Sequence, residues 1–457
     1  MSEALRAGAA QTDITPPLGA FLAGLFHRRP AEDVDDPLHA KAVVLESGGT
    51  RLALVVLDLI GLPRADVLRI RARVAERLGI PGEHVLIGCT HTHTGPSTRV
   101  SHSSPRDDTY VDWLVVRVAD AVQLACNRLR PARLAWGRGH LEGVSFCRRF
   151  HMRDGTVCMN PGRGNPNVVR PTSPIDPEVG VVYVEGEDGA PLAVLARFSL
   201  HYVGTDNANH ISADYYGHFA QAVRRLLGEG CLPLLFNGTS GQINAIDIHA
   251  TEPERGHAYA RRVARALAGE VVKVVSLLRP RGGPLALAGM VQEVSLPRKR
   301  ITPQDVATAR AILAGNDPSP GKGPFSYVVG MPIPERLREN YARGCLTLAE
   351  MPERFTSEVQ ALRIGELAWV GLPGEIFVET GFAIRESAPV PTFVTSLTND
   401  AMGYIPPDHV FLNEGGYETW AQPGNPVGVG SEPALREAAA QLIARLFPES
   451  SQEGGAR

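Results

Sequence analysis

A chain of 457 residues could hold two or three average domains or one large α/β unit. Hydrophobic residues make up 44% and charged residues 21%, ordinary values that make a sizeable core feasible. A net charge of −3 leaves no basic excess for nucleic acid and no polybasic anchor for a membrane surface.

The opening Met1-Ser2-Glu3-Ala4-Leu5-Arg6 carries an acid and no long apolar run. Nowhere do about eighteen apolar residues follow one another, so a soluble, cytoplasmic protein without stable membrane insertion is expected. Cys89, Cys126, Cys147, Cys158, Cys231 and Cys345 form no C-x-x-C pair and read as free thiols of a reducing compartment.

In chain order, residues 40–46 and 52–58 read as strands joined by Ser47-Gly48-Gly49-Thr50. A helix over 64–78 precedes the apolar strand Val85-Leu86-Ile87-Gly88, which runs into His91-Thr92-His93-Thr94-Gly95-Pro96. Side chains at i and i+2 of a strand share a face, so both imidazoles could approach one metal or one substrate. The alternative is a hydrogen-bonded core histidine beside a surface one.

A long helix is predicted over 107–129, and strands 181–184 and 194–200 pair across a Gly-containing turn. His151-Met152-Arg153-Asp154-Gly155-Thr156 reads as a hairpin tip. Residues 214–227 and 252–268 are predicted helices flanking the buried strand 232–236. Asn237-Gly238-Thr239-Ser240-Gly241, after that strand, is a Gly-rich turn able to present N–H groups to an anion. Asp214 and His210 could orient a ligand imidazole, or Asp214 could cap the following helix. Beyond 285 come a strand over 285–296, a helix over 303–314 and a Gly/Pro-rich loop or lid over 315–334. A hairpin 358–364/367–372, a strand over 392–397 and a last helix over 432–447 follow. The alternation predicts α/β architecture with a mixed, mostly covered sheet and flanking helices. One unit over 1–447 is expected, with a possible subdivision near 280 and a disordered tail from 448.

His91, His201 and Glu375 each fall at a strand end, and two imidazoles with a carboxylate are a normal protein set for catalytic zinc. Their separation in sequence is too long for spacing alone to join them.

Several motifs occur together: Ala7-Gly8-Ala9-Ala10-Gln11-Thr12-Asp13-Ile14-Thr15-Pro16-Pro17, His91 to Pro96, and the stretches 198–214, 236–245, 365–375 and 398–404. With Gly416-Tyr417-Glu418 they resemble, in order, the neutral/alkaline non-lysosomal ceramidase family, in particular its shorter bacterial members. The resemblance implies a neutral-ceramidase-like catalytic domain that hydrolyses an N-acyl amide with a zinc-bound water. It also implies His91, His201, Glu375 and Tyr404 as Zn2+ ligands, and His93, Arg148 and Tyr417 as groups acting on the substrate. Asn244 stands where the family carries a serine, and Gln242 replaces the family's aspartate. These departures, with no export signal and no C-terminal sandwich, lead to the expectation of a small, more soluble amide than ceramide. The other readings are a zinc hydrolase or lyase acting on a sugar derivative and a binding protein without turnover. Oligomeric state is open.

Overall fold

Alternation every second residue decides which way each strand of the main sheet faces. In His39–Ser47, Ala40, Ala42 and Val44 pack outward under helices, while Val43 and Leu45 pack inward. A computed structural model describes residues 4–99, 104–318, 325–326, 328–329 and 332–448. Its main sheet has eight strands in the spatial order Leu232–Asn237, Pro191–Phe198, Glu178–Gly186, Arg130–His140, Arg6–Asp13, His39–Ser47, Thr50–Leu57 and Val85–Cys89. Both edge pairs are parallel and the pairs between them antiparallel.

Within the sheet the two halves are paired at Arg6↔Pro131 and Ala7↔Arg130, and their inner faces share one core. Leu54, Val56 and Leu86 of one half meet Leu195, Leu234 and Phe236 of the other there. Helices α1 (Arg64–Leu78) and α2 (Asp108–Asn127) cover the outside of the first half. Helices α3 (Asp214–Leu227) and α4 (Gly256–Leu277) cover the second. A four-stranded sheet of Leu287–Pro297, Arg354–Ile364, Leu367–Gly371 and Thr392–Thr395 adds Leu362, Trp369 and Phe393 to the same inner core.

Residues 396–399 close the arrangement. Ser396 N–H donates to Asn237 O at 3.0 Å, and Cys89 N–H donates to Leu397 O at 3.0 Å. The main sheet is therefore not an open one with a row of carboxyl ends. It curls until its two edge strands meet across this segment.

Helices α5 (Pro303–Leu313) and α6 (Arg338–Glu350) enclose a small core with Phe325, Ile333 and Trp420. The loop expected over 315–334 lies partly outside the described residues, and the tail expected from 448 almost wholly so. Helices α7 (Val378–Ser387) and α8 (Ser431–Leu446) complete the second sheet's outer side. The helix expected over 252–268 runs instead from Gly256 to Leu277, because Val271, Val274 and Val275 extend its apolar face. Among the described residues, no helix is long and apolar enough to cross a membrane.

One buried ion cluster ties α7 to the sheet. Asp176 accepts from Arg197 at 2.9 Å and from both terminal nitrogens of Arg385 at 3.0 and 3.1 Å. Burial alone would raise the Asp176 carboxyl; the two guanidiniums outweigh it and bring it down to about 2. A depressed carboxyl contributes stability that is full above its ordinary value and is lost as pH falls from there through about 2. The wild type should lose about 2 kcal/mol from this group in strong acid. Asp176→Asn is expected to cost about 3 kcal/mol at neutral pH and to remove that part of the acid sensitivity. Urea midpoints measured across the acid range check both; a midpoint unmoved by the substitution contradicts them.

Candidate active site

His91 does not continue its strand. Val85–Cys89 ends two residues earlier, and His91 takes φ +71°, a left-handed conformation uncommon for a side chain of this size. Its N–H donates to Leu59 O at 2.9 Å, and its Nδ1 lies 2.7 Å from Ile60 O. A carbonyl only accepts, so Nδ1 carries the proton and Nε2 presents a lone pair. His201, three residues beyond Pro191–Phe198, has Nδ1 at 3.4 Å from Ser240 O and repeats the arrangement.

Glu375 and Tyr404 are directly paired across two-residue parallel strands, so they leave the backbone side by side. Each follows a glycine of positive φ. A Cβ on Gly374 would fall 2.4 Å from Gly403 O, and one on Gly403 would fall 2.3 Å from Gly424 O. Only glycines let these backbones cross so closely.

Three acceptor atoms converge. His91 Nε2 and His201 Nε2 are 3.1 Å apart, and Glu375 Oε2 is 3.4 Å from the first and 3.6 Å from the second. Among the described residues Oε2 has no hydrogen-bond donor, although it is buried. Two lone pairs and a carboxylate oxygen repel one another unless a cation lies between them. A tetrahedral metal with ligands at about 2.0–2.1 Å requires edges of about 3.3 Å, close to this triangle. The donor set therefore fits a metal ion.

His93 stands next to the triangle. The available nitrogens of His91, His93 and His201 lie within 4.8 Å of one another, so His93 could also reach a metal. Its ring centroid is 4.8 Å from that of His91 and 5.6 Å from that of His201. The ring stacks on Tyr202, centroids 3.7 Å apart, and neither nitrogen has a hydrogen-bond partner among the described residues. A cavity of about 590 Å³ opens over these groups. His91, His93, Glu375, Tyr404 and Tyr417 line its floor, and Phe26, Tyr341, Met351 and Trp420 its walls.

No family model matches the chain. It is 26% identical over 403 residues to the neutral ceramidase of Pseudomonas aeruginosa, covering 76% of this chain and 57% of that protein. It is 26% identical over 392 residues to the neutral ceramidase of Mycobacterium tuberculosis, covering 74% and 60%. The crystal structure of the P. aeruginosa neutral ceramidase matches with a TM-score of 0.72 at 18% identity, over 97% of this chain and 74% of that one. The chain is a relative of the neutral ceramidases. It shares their mixed α/β fold and spans about three fifths of the length of the curated relatives it matches.

Within this ceramidase fold, Arg148 reaches the site from behind the tyrosines. Its Nε donates to Glu418 at 2.9 Å and a terminal nitrogen to Gly241 O at 2.8 Å. The guanidinium carbon lies 5.2 Å from the Tyr404 ring centroid and 5.9 Å from that of Tyr417. Burial would lower its pKa, but the negative potential of Tyr404, Glu418 and Glu375 reverses this and keeps it charged. Burial likewise opposes the Glu375 carboxylate, yet His91, Tyr404 and Arg148 hold its carboxyl below the usual range. Burial, the neighbouring His91 and Arg148 push His201 well down, and burial, His91 and Arg29 do the same to His93. Both rings are neutral near pH 7. Burial raises the phenols of Tyr404 and Tyr417.

Asn244 is not brought to the cavity. Its Nδ2 donates to Asn160 at 2.8 Å and its Oδ1 accepts from Ile246 N–H at 3.0 Å. Gln242 is similarly engaged by Ser173, Glu379 and Val378. The turn after Asn237 turns carbonyls toward the site: Ser240 O faces His201 and Gly241 O accepts from Arg148. His210 pairs with Asp35 at 2.9 Å, and Asp214 accepts from Gly204 N–H at 2.7 Å, holding the chain after His201 without touching a histidine ring of the site.

Sequence reading missed Tyr202, the aromatic wall and two arginines. Tyr202 follows His201 directly, the only local signal for it. Buried Arg29 donates to His93 O at 2.8 Å and to the carbonyls of Ala23 and Ala208, and burial brings its pKa down to about 10.

Proposed function

We propose that the protein is a zinc-dependent hydrolase that cleaves a linear N-acyl amide more soluble than ceramide. The convergence of His91 Nε2, His201 Nε2 and Glu375 Oε2 on one point at the floor of an apolar cavity carries this reading. His91, His201 and Glu375 would hold the ion, with Tyr404 as a fourth, neutral oxygen beside Glu375. When bound, zinc supplies Lewis acidity and an acidified water.

His93 is assigned to the substrate. Neither of its nitrogens makes a hydrogen bond among the described residues, unlike those of His91 and His201. A neutral imidazole can donate an N–H to the acyl oxygen as negative charge develops there, and a proton is then needed at the departing nitrogen. Tyr417, on the cavity floor, adds a hydroxyl donor. The Arg148 charge lies behind both tyrosines and offsets part of the rise that burial imposes on their phenols. Asn244 buttresses the short strand pair Ile243↔Cys147 that precedes Arg148. Free thiols at all six cysteines accord with a cytoplasmic setting.

The apolar walls favour an acyl group over a sugar, and a cavity of about 590 Å³ is in the range that encloses a small molecule. Each fully buried methylene would contribute about 0.8 kcal/mol, so an enzyme adapted to long chains gains steadily with length. Here kcat/KM on N-acyl amides is expected to level off well before about sixteen carbons. Assays from about two to sixteen carbons, with and without detergent, test the reading. Absence of any amide hydrolysis by metal-loaded protein would reject the hydrolase, and a continuous rise ending in efficient ceramide cleavage would reject the soluble substrate.

A further inference from the structure

Arg99 lines the same cavity as the candidate metal ligands. One terminal nitrogen donates to Ala401 O at 3.1 Å and Gly424 O at 3.3 Å. The guanidinium lies on Gly424, where a Cβ would stand 3.5 Å from its central carbon. That glycine also packs against Gly403, the residue before Tyr404. The cation is thus fixed to the wall close to the site, and its other nitrogens have no hydrogen-bond partner among the described residues. Among the described residues no carboxylate pairs with it. Among the described residues the one acid lining the cavity, Glu375, is turned to His91 and His201. Ser97, Asn340 and Gln422 add neutral polar groups to the wall, and none offsets the charge.

A fixed guanidinium with unused N–H groups beside an aromatic pocket is a carboxylate-recognition element. We infer that the substrate is an N-acyl amino acid, its acyl group against the aromatic walls and its carboxylate on Arg99. This rests on the hydrolase reading above. Water adds its oxygen to the acyl carbon, the C–N bond breaks, and the nitrogen takes up a proton. The products are a carboxylic acid and a free amino acid.

The test compares N-octanoylglycine with N-octanoylethanolamine, which replaces the carboxylate by a hydroxymethyl group. Wild-type kcat/KM should favour the glycine conjugate by roughly 30- to 100-fold, the span of one charge-assisted contact. Arg99→Gln should bring the ratio close to one, and Arg99→Lys should keep part of it. Arg99→Glu should shift preference to the N-octanoyl derivative of ethylenediamine. A wild-type ratio near one, or one that survives Arg99→Gln, overturns the inference while leaving the hydrolase intact. If metal-loaded protein cleaves no amide, the hydrolase reading fails instead. Calorimetric binding of N-octanoylglycine to wild type and Arg99→Gln then decides Arg99: weaker binding by the variant supports it, and equal binding overturns it.

Discussion

Replacing His91 by alanine is expected to leave the purified protein without its metal. Wild-type protein prepared without chelator should carry about one zinc per chain, and the variant less than about a tenth of that. The reason is geometric. His91 Nε2 forms two edges of the triangle, at 3.1 Å to His201 and 3.4 Å to Glu375, and its removal leaves a single imidazole and a carboxylate. Amide hydrolysis should fall to background with the metal. Elemental analysis alongside a thermal melt separates loss of metal from loss of fold. Wild-type protein free of zinc, or a folded variant that keeps it, removes the proposed ligand set.

His93→Ala should behave in the opposite way toward the metal. Its ring is held by stacking on Tyr202 and by the close backbone of Gly24, where a Cβ would come within 2.6 Å of the imidazole. Among the described residues no hydrogen bond ties a particular nitrogen of His93 toward the triangle. The variant should therefore retain zinc while kcat drops by roughly two to four orders of magnitude, the usual contribution of a group that exchanges hydrogen bonds or protons with the reacting atoms. Parallel loss of zinc and activity would make His93 a ligand, and the centre would then be one of three histidines.

Local chemistry made much of the fold readable. Helices α1 and α3 have the predicted ends because Gly79 and Gly228 stop them with positive φ, after apolar faces with helical spacing. The hairpin Arg354–Ile364/Leu367–Gly371 follows from Gly365 at φ +64°. Arg130–His140 was not read as a strand, since its proline, glycines and four arginine or histidine residues leave it half exposed with weak alternation. Helix α7 lacks a side-chain cap and contains Gly381, so no start signal marks it. At the site, the residue types at 91, 201, 375 and 404 were legible, but the reason they meet was not. The i, i+2 argument presumed an extended strand through His91, whereas a left-handed turn aims the ring. Arg99, Tyr202 and the aromatic wall come from separate segments and belong to no local pattern.

The bridge at 396–399 also sets an order in time. It accepts from Cys89 N–H, donates to Asn237 O, and its Leu397 N–H donates to Gly374 O, one residue before Glu375. Three parts of the centre thus depend on a segment about three hundred residues downstream of His91. During synthesis the first histidine leaves the ribosome long before its partners can be fixed, and at about 5–20 residues per second that interval lasts tens of seconds. Until then the edge strand Val85–Cys89 has no closing partner, and the nascent chain carries an apolar edge open to other chains. The centre is thus assembled only at the end of that interval, once residues 396–399 are in place.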